Sequence, residues 1–288
     1  MTATSGNQFS LLRERRFAPY FWTQFLGAAN DNLFKFAFTL LATFHAAQWG
    51  GMDPATAGFL IGAIFIAPFV LFSATSGQIA DKVEKGRLIR FVKDFEIVVM
   101  AVAAAGFLTQ NAMLLYACVF LMGLHSTLFG PVKYSYLPQQ LTAAELTGGN
   151  GMVEMGTFVA ILAGTMAGGA LIGHRVDGPL LVAAATVTAA IAGRFVASYI
   201  PLSPAPAPDL RINWNPFSET WRNLQVARGN RAVFLSMLGI SWLWFCGSIF
   251  LTSFTPFTRE VIGGSEEVVT VLLAVFSVGI GLGSLACE

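Results

Sequence analysis

Charged residues are scarce in this sequence: they make up 11% of its 288 residues, whereas 55% are hydrophobic. A soluble domain usually carries about 25% charged residues. The deficit excludes an ordinary soluble domain and indicates an all-α, polytopic membrane protein. Because the net charge is only +1, nothing in the composition points to nucleic acid as a partner.

Cysteine and catalytic signatures are also scarce. Three cysteines lie in apolar runs without CxxC or Cys/His spacing, so we expect no disulfide, metal or cofactor and interpret them as packing residues. No histidine begins an H-x4-D acyltransferase signature, and there is no P-loop or G-x-S-x-G. A cleavable signal is not expected either, since the first apolar segment is too long and too polar at its centre. The sequence predicts a protein that is not an enzyme.

Eight apolar segments are long enough to span a bilayer. They cover approximately residues 17–46, 55–80, 89–108, 112–137, 147–173, 179–200, 231–258 and 267–287. If the spans alternate, thirteen of the 17 Lys and Arg residues lie on one side, and only Arg175 and Arg259 lie on the other. This asymmetry predicts a cytoplasmic N-terminus.

A Pro-rich connection divides the chain into three parts. Residues 1–200 form an N-terminal six-helix bundle, residues 201–230 form a cytoplasmic linker, and residues 231–288 form the first two helices of an incomplete second bundle. Asn215-Pro216 predicts a helix start, and we expect a helix over 215–228. It is either amphipathic and membrane-bound or an ordinary linker helix. Weak internal similarity supports two repeated halves, because FWTQFLG at 21–27 aligns with VFLSMLG at 233–239 and GQIAD at 77–81 with SLACE at 284–288.

The first segment carries an unusual polar group. Asp31 lies about 20 Å along a helix from Phe17, near the middle of a hydrocarbon core about 30 Å thick. A charge there costs roughly 2.5–3.5 kcal/mol. Lys35, four residues on, shares its helix face and offsets part of that cost, and Asn32 adds an amide. The group is either a buried ion pair that helps helices pack or part of a wet cavity, and intramembrane charge favours a functional role.

The connection between the second and third segments has the pattern G-x3-D-x4-G-R, formed by Gly77, Asp81, Gly86 and Arg87. We expect Gly77 to admit a neighbouring helix, Asp81 to accept hydrogen bonds from a helix end or Arg87, and Gly86 to permit a tight turn. Such a site could act as a conformational latch, and a basic membrane-proximal turn is the alternative. The motif and its position resemble the loop signature of the major facilitator superfamily.

Two further charges lie inside predicted spans. Lys133 follows Gly130-Pro131, which should loosen the fourth helix. It either snorkels to the surface or faces a central cavity as a partner for phosphate or carboxylate. Glu154 in the fifth segment is its natural partner. His125 is interpreted as a buried histidine rather than a proton relay, and Asp94 and Glu96 as cavity or interface residues.

Four stretches together resemble the bacterial lysophospholipid transporters of this superfamily, especially those fused ahead of an acyltransferase and an acyl-carrier-protein synthetase. They are NDN at 30–32, residues 66–87, GPVKY at 130–134 and residues 150–169. The resemblance implies the major-facilitator fold in the inner membrane, with about eight of the expected twelve helices present. We therefore expect a C-terminally truncated fragment. An acyltransferase/acyl-ACP synthetase is the implied partner or fused domain.

The resemblance also implies alternating-access transport of a lysophospholipid such as lysophosphatidylethanolamine. The predicted substrate cavity consists of Asp31, Asn32, Lys35, Lys133 and Glu154, and Glu288 matches an acidic position of the family. The chain departs from the family at residues 232–257, where an arginine is expected and no charge is present. A membrane domain of a fused acyltransferase and a carrier of an unrelated solute stay open as alternatives.

Overall fold

The computed structural model describes residues 8–49, 53–174, 176–257, 261–263 and 266–286. In this part of the chain a short 3-10 helix, Gln8–Arg13, precedes nine α-helices. They are α1 (Ala18–Phe44), α2 (Pro54–Lys82), α3 (Lys85–Leu108), α4 (Ala112–Gln140), α5 (Leu146–Ile172), α6 (Gly178–Ala197), α7 (Pro216–Arg228), α8 (Arg231–Phe257) and α9 (Glu266–Leu285).

The eight predicted spans correspond to the eight long helices, and the predicted helix over 215–228 corresponds to α7. Four helices in the described ranges, α2, α4, α5 and α6, meet both the length and the apolar composition needed to cross a membrane. Arg175, Arg259, Cys287 and Glu288 lie outside the described residues, so the predictions that fall on them are not addressed by the structure.

Side-chain caps fix where several helices begin. Asp53 accepts the amide of Thr56 at the start of α2, and Asn111 accepts the amide of Leu114 at the start of α4. Asn215 accepts two amides at the start of α7, as its Asn-Pro sequence predicts. These bonds satisfy backbone donors that have no partner within the helix.

Helix α1 lies at the centre of the packing, against α5 and α6, while α2 packs on α4 and α3 packs on α4 and α6. Glycines make the closest approaches. A Cβ added at Gly164 of α5 would lie 2.1 Å from the carbonyl oxygen of Ala29 in α1, and one at Gly168 would lie 2.6 Å from that of Leu33. The two backbones are therefore in direct contact, as in other membrane helix pairs with small residues at the interface.

The buried apolar residues form two clusters, one at each end of the bundle. Along α1 the first cluster ends at Phe21 and the second begins at Leu33, and along α3 the boundary falls between Val92 and Val99. Buried polar side chains occupy the interval between them on both helices. We use the name polar layer for Gln24, Asn30, Asp31, Lys93 and Glu96 in this interval together with the buried His125 of α4.

Residues 200–213, after α6, are bound to the ends of other helices. The Ser203 hydroxyl accepts a hydrogen bond of 2.7 Å from Gln140 of α4, and the amide of Ala207 donates to the carbonyl of Asp81. Gln78 of α2 both accepts from the amide and donates to the carbonyl of Asn213. The Pro-rich connection is thus an anchored segment, not a free tether.

Helix α7 buries Glu219 and Ala227 and leaves Phe217, Trp221 and Leu224 exposed. Such a face gains free energy only when lipid or protein covers it, so the membrane-bound helix and the ordinary linker helix both stay open as interpretations.

We expect Gly164→Ala to lower the free energy of unfolding by about 1–3 kcal/mol, because the added methyl group would overlap a backbone oxygen that cannot move independently of α1. Gly62→Ala is the matched control, since a Cβ there meets nothing within 4 Å. Thermal unfolding of the two purified variants in detergent tests this. Equal transition temperatures would show that α1 and α5 are less tightly packed than described.

Candidate functional site

A cavity of about 470 Å³ opens between α1, α2, α4 and α5, with Trp244 of α8 on its wall. All five residues of the predicted substrate cavity line it: Asp31, Asn32, Lys35, Lys133 and Glu154. The residues come from three helices, of which α1 is distant in sequence from α4 and α5. The fold therefore places around one cavity the five side chains that were grouped from the sequence without knowledge of their positions.

Asp31 is buried at 8% exposure, and its Oδ2 accepts a hydrogen bond of 2.6 Å from the hydroxyl of Ser126 in α4. The ammonium of Lys35 lies 3.6 Å from the centre of the Phe65 ring, a cation–π contact. In the described part of the chain Asp31 and Lys35 do not form an ion pair with each other, so the alternative of a buried pair is not seen in this conformation. Each side chain has its contact on a neighbouring helix instead.

Lys133 and Glu154 form the ion pair that the sequence predicts, at 3.2 Å. Lys133 also donates to the Thr157 hydroxyl at 2.9 Å, and Tyr134 donates to the same Glu154 oxygen at 2.6 Å. The Thr157 hydroxyl in turn donates to Gln24 of α1 at 3.0 Å. Lys133 thus points into the cavity wall and does not snorkel to the surface.

A buried cluster of polar side chains surrounds Glu96 of α3, and it is larger than the sequence indicates. The carboxylate is fully buried and pairs with the ammonium of Lys93, which is 1% exposed. Asn30 donates to it at 2.7 Å, and Nε2 of His125 lies 3.2 Å from it. Lys93 lies deep in the bundle, because α3 begins at Lys85 and places Lys93 two turns inside it.

Lys93 has room because glycines face it. A Cβ at Gly193 of α6 would lie 2.7 Å from its ammonium nitrogen, and one at Gly27 of α1 would lie 3.3 Å away. Lys93 and His125 also line the cavity, so the cluster adjoins the predicted site. The sequence feature that could have revealed this cluster is a lysine and a glutamate three residues apart in an apolar segment.

The predicted latch residues are arranged differently from expectation. Asp81 and Arg87 are both exposed, and no ion pair joins them in the described ranges. A Cβ at Gly77 would meet nothing within 4 Å, so none of the described helices approaches closely there. Gly86 lies in the first turn of α3 rather than in a tight turn, and its small size admits the carbonyl of Pro201, 3.1 Å from an added Cβ.

Glu84, which is not one of the four predicted latch residues, forms the hydrogen bonds at the start of α3. Its carboxylate accepts the amides of Gly86 and Arg87, so it caps α3, and it also accepts the amide of Ser203 at 2.7 Å. One side chain thereby joins the start of α3 to residues 200–213. Sequence could reveal the cap, but the bond to Ser203 depends on tertiary structure.

The sequence profile of the Major Facilitator Superfamily matches residues 20–287. The chain belongs to the major facilitator superfamily. Membership in the superfamily and the long apolar helices identify it as a multi-pass membrane protein with an all-α fold.

Among curated relatives of this superfamily member, the lysophospholipid transporter LplT of Escherichia coli O6:K15:H31 (strain 536 / UPEC) is 30% identical over 267 residues. LplT of Shigella boydii serotype 4 (strain Sb227) is 30% identical over 269 residues, and LplT of Enterobacter sp. (strain 638) is 28% identical over 265. Each match covers 91% of this chain and 62% of the relative. The chain thus spans less than two thirds of the length of these relatives.

We expect Glu84→Ala to speed amide hydrogen exchange at Ser203 and its neighbours about tenfold or more, because a hydrogen bond to a charged group contributes roughly 1.5–3 kcal/mol. Asp94→Ala is the control, since Asp94 pairs with Arg194 on the surface and has no recorded contact with residues 200–213. Exchange measured by mass spectrometry would contradict the assignment if both variants left these residues equally protected.

Proposed function

We propose that this protein is a secondary transporter, not an enzyme, and that it moves lysophospholipid such as lysophosphatidylethanolamine across the inner membrane by alternating access. The observation that carries the proposal is the composition of the cavity wall. It combines charges of both signs with Phe65, Phe69, Phe129, Ile161 and Trp244. The names of the curated relatives support the same substrate class.

An amphipathic substrate matches such a wall. The phosphate of a lysophosphatidylethanolamine would pair with Lys133 or Lys35, and its ammonium with Asp31 or Glu154. Asn32 completes the polar side of the proposed site. The acyl chain would lie along the aromatic side, where it leaves water. A small polar solute would use the charges but would leave the aromatic side without a partner.

The proposed orientation places the N-terminus in the cytoplasm, on the strength of the uneven distribution of Lys and Arg. We retain the division into a first bundle at 1–200, a linker at 201–230 and the start of a second bundle at 231–288. Alternating access would then move the bundles against each other. Gly77, Asp81, Gly86 and Arg87 stay the proposed latch, formed in a conformation other than this one.

Lysophospholipid delivered to the inner leaflet has to be re-acylated. An acyltransferase/acyl-ACP synthetase is therefore the proposed partner, either separate or fused. The support for it is the resemblance of residues 66–87 and 150–169 to the fused transporters.

We expect Asp31→Asn to reduce uptake about tenfold or more while membrane abundance stays near normal. The amide keeps the size of the side chain and can accept from Ser126, but it removes the charge that would bind an ammonium group. Spheroplasts of a host without its own lysophospholipid carrier would receive radiolabelled lysophosphatidylethanolamine, and its conversion to diacyl lipid would be followed with and without this protein.

Asp94→Asn is the control for Asp31→Asn, since Asp94 is exposed and outside the cavity. Loss of protein instead of activity would identify Asp31 as a structural residue. Absence of conversion with well-expressed wild-type protein would remove the lysophospholipid assignment.

Glu154→Gln should lower conversion of lysophosphatidylethanolamine about tenfold more than that of lysophosphatidylglycerol, since only the first carries an ammonium group. Lys133→Gln should lower conversion of both, because both carry a phosphate. The ratio of the two conversion rates in the same spheroplasts is the measurement. An unchanged ratio in Glu154→Gln would exclude this carboxylate from headgroup selection.

A further inference from the structure

A second cavity lies at the end of the bundle where α1 begins. It is an open groove of about 610 Å³ between Arg15 and Arg16, before α1, Arg90 of α3, and residues 198–202, after α6. The described residues that line it include no carboxylate. Three guanidinium groups therefore converge on one concave surface, which we call the arginine groove.

The three arginines are neutralised to different extents. Arg16 donates to both carboxylate oxygens of Glu145, at 2.9 and 2.6 Å, and these bonds are the main reason that the pKa of Glu145 falls to about 2. Arg90 lies 3.7 Å from Glu84, whose oxygens already accept three backbone amides. Arg15 is exposed and has no ion pair within the described ranges. The groove thus retains unmatched positive charge at Arg15, and Arg90 is paired with Glu84 only at the longer distance.

An exposed apolar stripe leads into this groove. Ile191 and Phe195 near the end of α6 and Tyr199 just after it follow one another at intervals of four residues, and each is more than half exposed. The rings of Phe195 and Tyr199 are 5.4 Å apart, and Tyr199 itself lines the groove. Tyrosine is enriched where a helix leaves the membrane, because its ring is apolar and its hydroxyl is polar.

We propose that the arginine groove binds an anionic phospholipid of the cytoplasmic leaflet, with its phosphodiester on Arg15 and Arg90 and one acyl chain along the stripe of α6. Guanidinium groups suit phosphate oxygens, and basic pockets between helices on this side of a membrane are suited to anionic headgroups. An ammonium headgroup would meet the same positive charges, so a zwitterionic lipid binds less well. The stripe favours a lipid over a free phosphate, because only a lipid has an acyl chain that can contact it.

This site is separate from the transport cavity, with which it shares no lining residue among those described. It depends on the proposed orientation of the protein but not on the transported substrate. An anionic lipid here would hold the start of α1, the first turns of α3 and the end of α6 together.

Native mass spectrometry of the purified protein in detergent, with dioleoyl-phosphatidylglycerol or dioleoyl-phosphatidylcholine added, tests the proposal. We expect wild-type protein to prefer phosphatidylglycerol, and Arg15→Gln with Arg90→Gln to reduce its binding about tenfold while phosphatidylcholine binding is unchanged. Arg211→Gln is the matched control, since Arg211 is exposed and outside the groove. Arg16 is left unchanged because it is bound to Glu145.

Arg15→Gln alone serves as a second test variant in case the double variant folds poorly. Because Arg15 is exposed, the thermal unfolding of Arg15→Gln without lipid should equal that of the Arg211→Gln control. Glycerol 3-phosphate, added as a soluble competitor, should not displace the lipid at equal concentration. Equal binding of both lipids by wild-type protein, full binding of phosphatidylglycerol by both arginine variants, or displacement by the soluble phosphate would each overturn the proposal.

Discussion

Burying ionised side chains midway along a bundle of apolar helices is the constraint on which this structure depends. An unpaired ion there is costly, and removing one member of a buried pair costs about 3–5 kcal/mol. The polar layer meets this constraint with contacts between helices. Glu96 of α3 receives Lys93 and the amide of Asn30 in α1, with His125 of α4 beside it. The two apolar clusters flank this layer at either end.

Short polar side chains can meet across helices only if the backbones are close. The glycines of α5 and α6 provide that closeness, because Gly164 contacts the backbone of α1 and Gly193 leaves space for Lys93. A larger residue at either position would separate the helices and leave the charges farther from their partners. The contacts of the buried charges therefore depend on these small residues, although the two groups lie far apart in the sequence.

The helices were largely predictable from sequence, because apolar runs and caps such as Asn215 are local signals. The Lys133–Glu154 pair was predictable too, since two opposite charges at similar depth on consecutive spans have few other partners. The burial of Lys93 was not predictable because it follows a run of basic residues, and only the start of α3 at Lys85 shows how deep it lies. Glu84 was missed because its contact with Ser203 joins segments 119 residues apart.

Helix α3 physically connects two parts of the molecule that sequence analysis treated separately. Its cap, Glu84, holds residues 200–213 against the bundle end, and its third and fourth turns carry Lys93 and Glu96 in the polar layer beside the cavity. An α-helix is stiff over the few turns between them, so a rotation or shift of α3 must disturb both sets of contacts. A rigid-body movement of α3 would therefore change the contacts of the anchored linker segment and those of the cavity wall together.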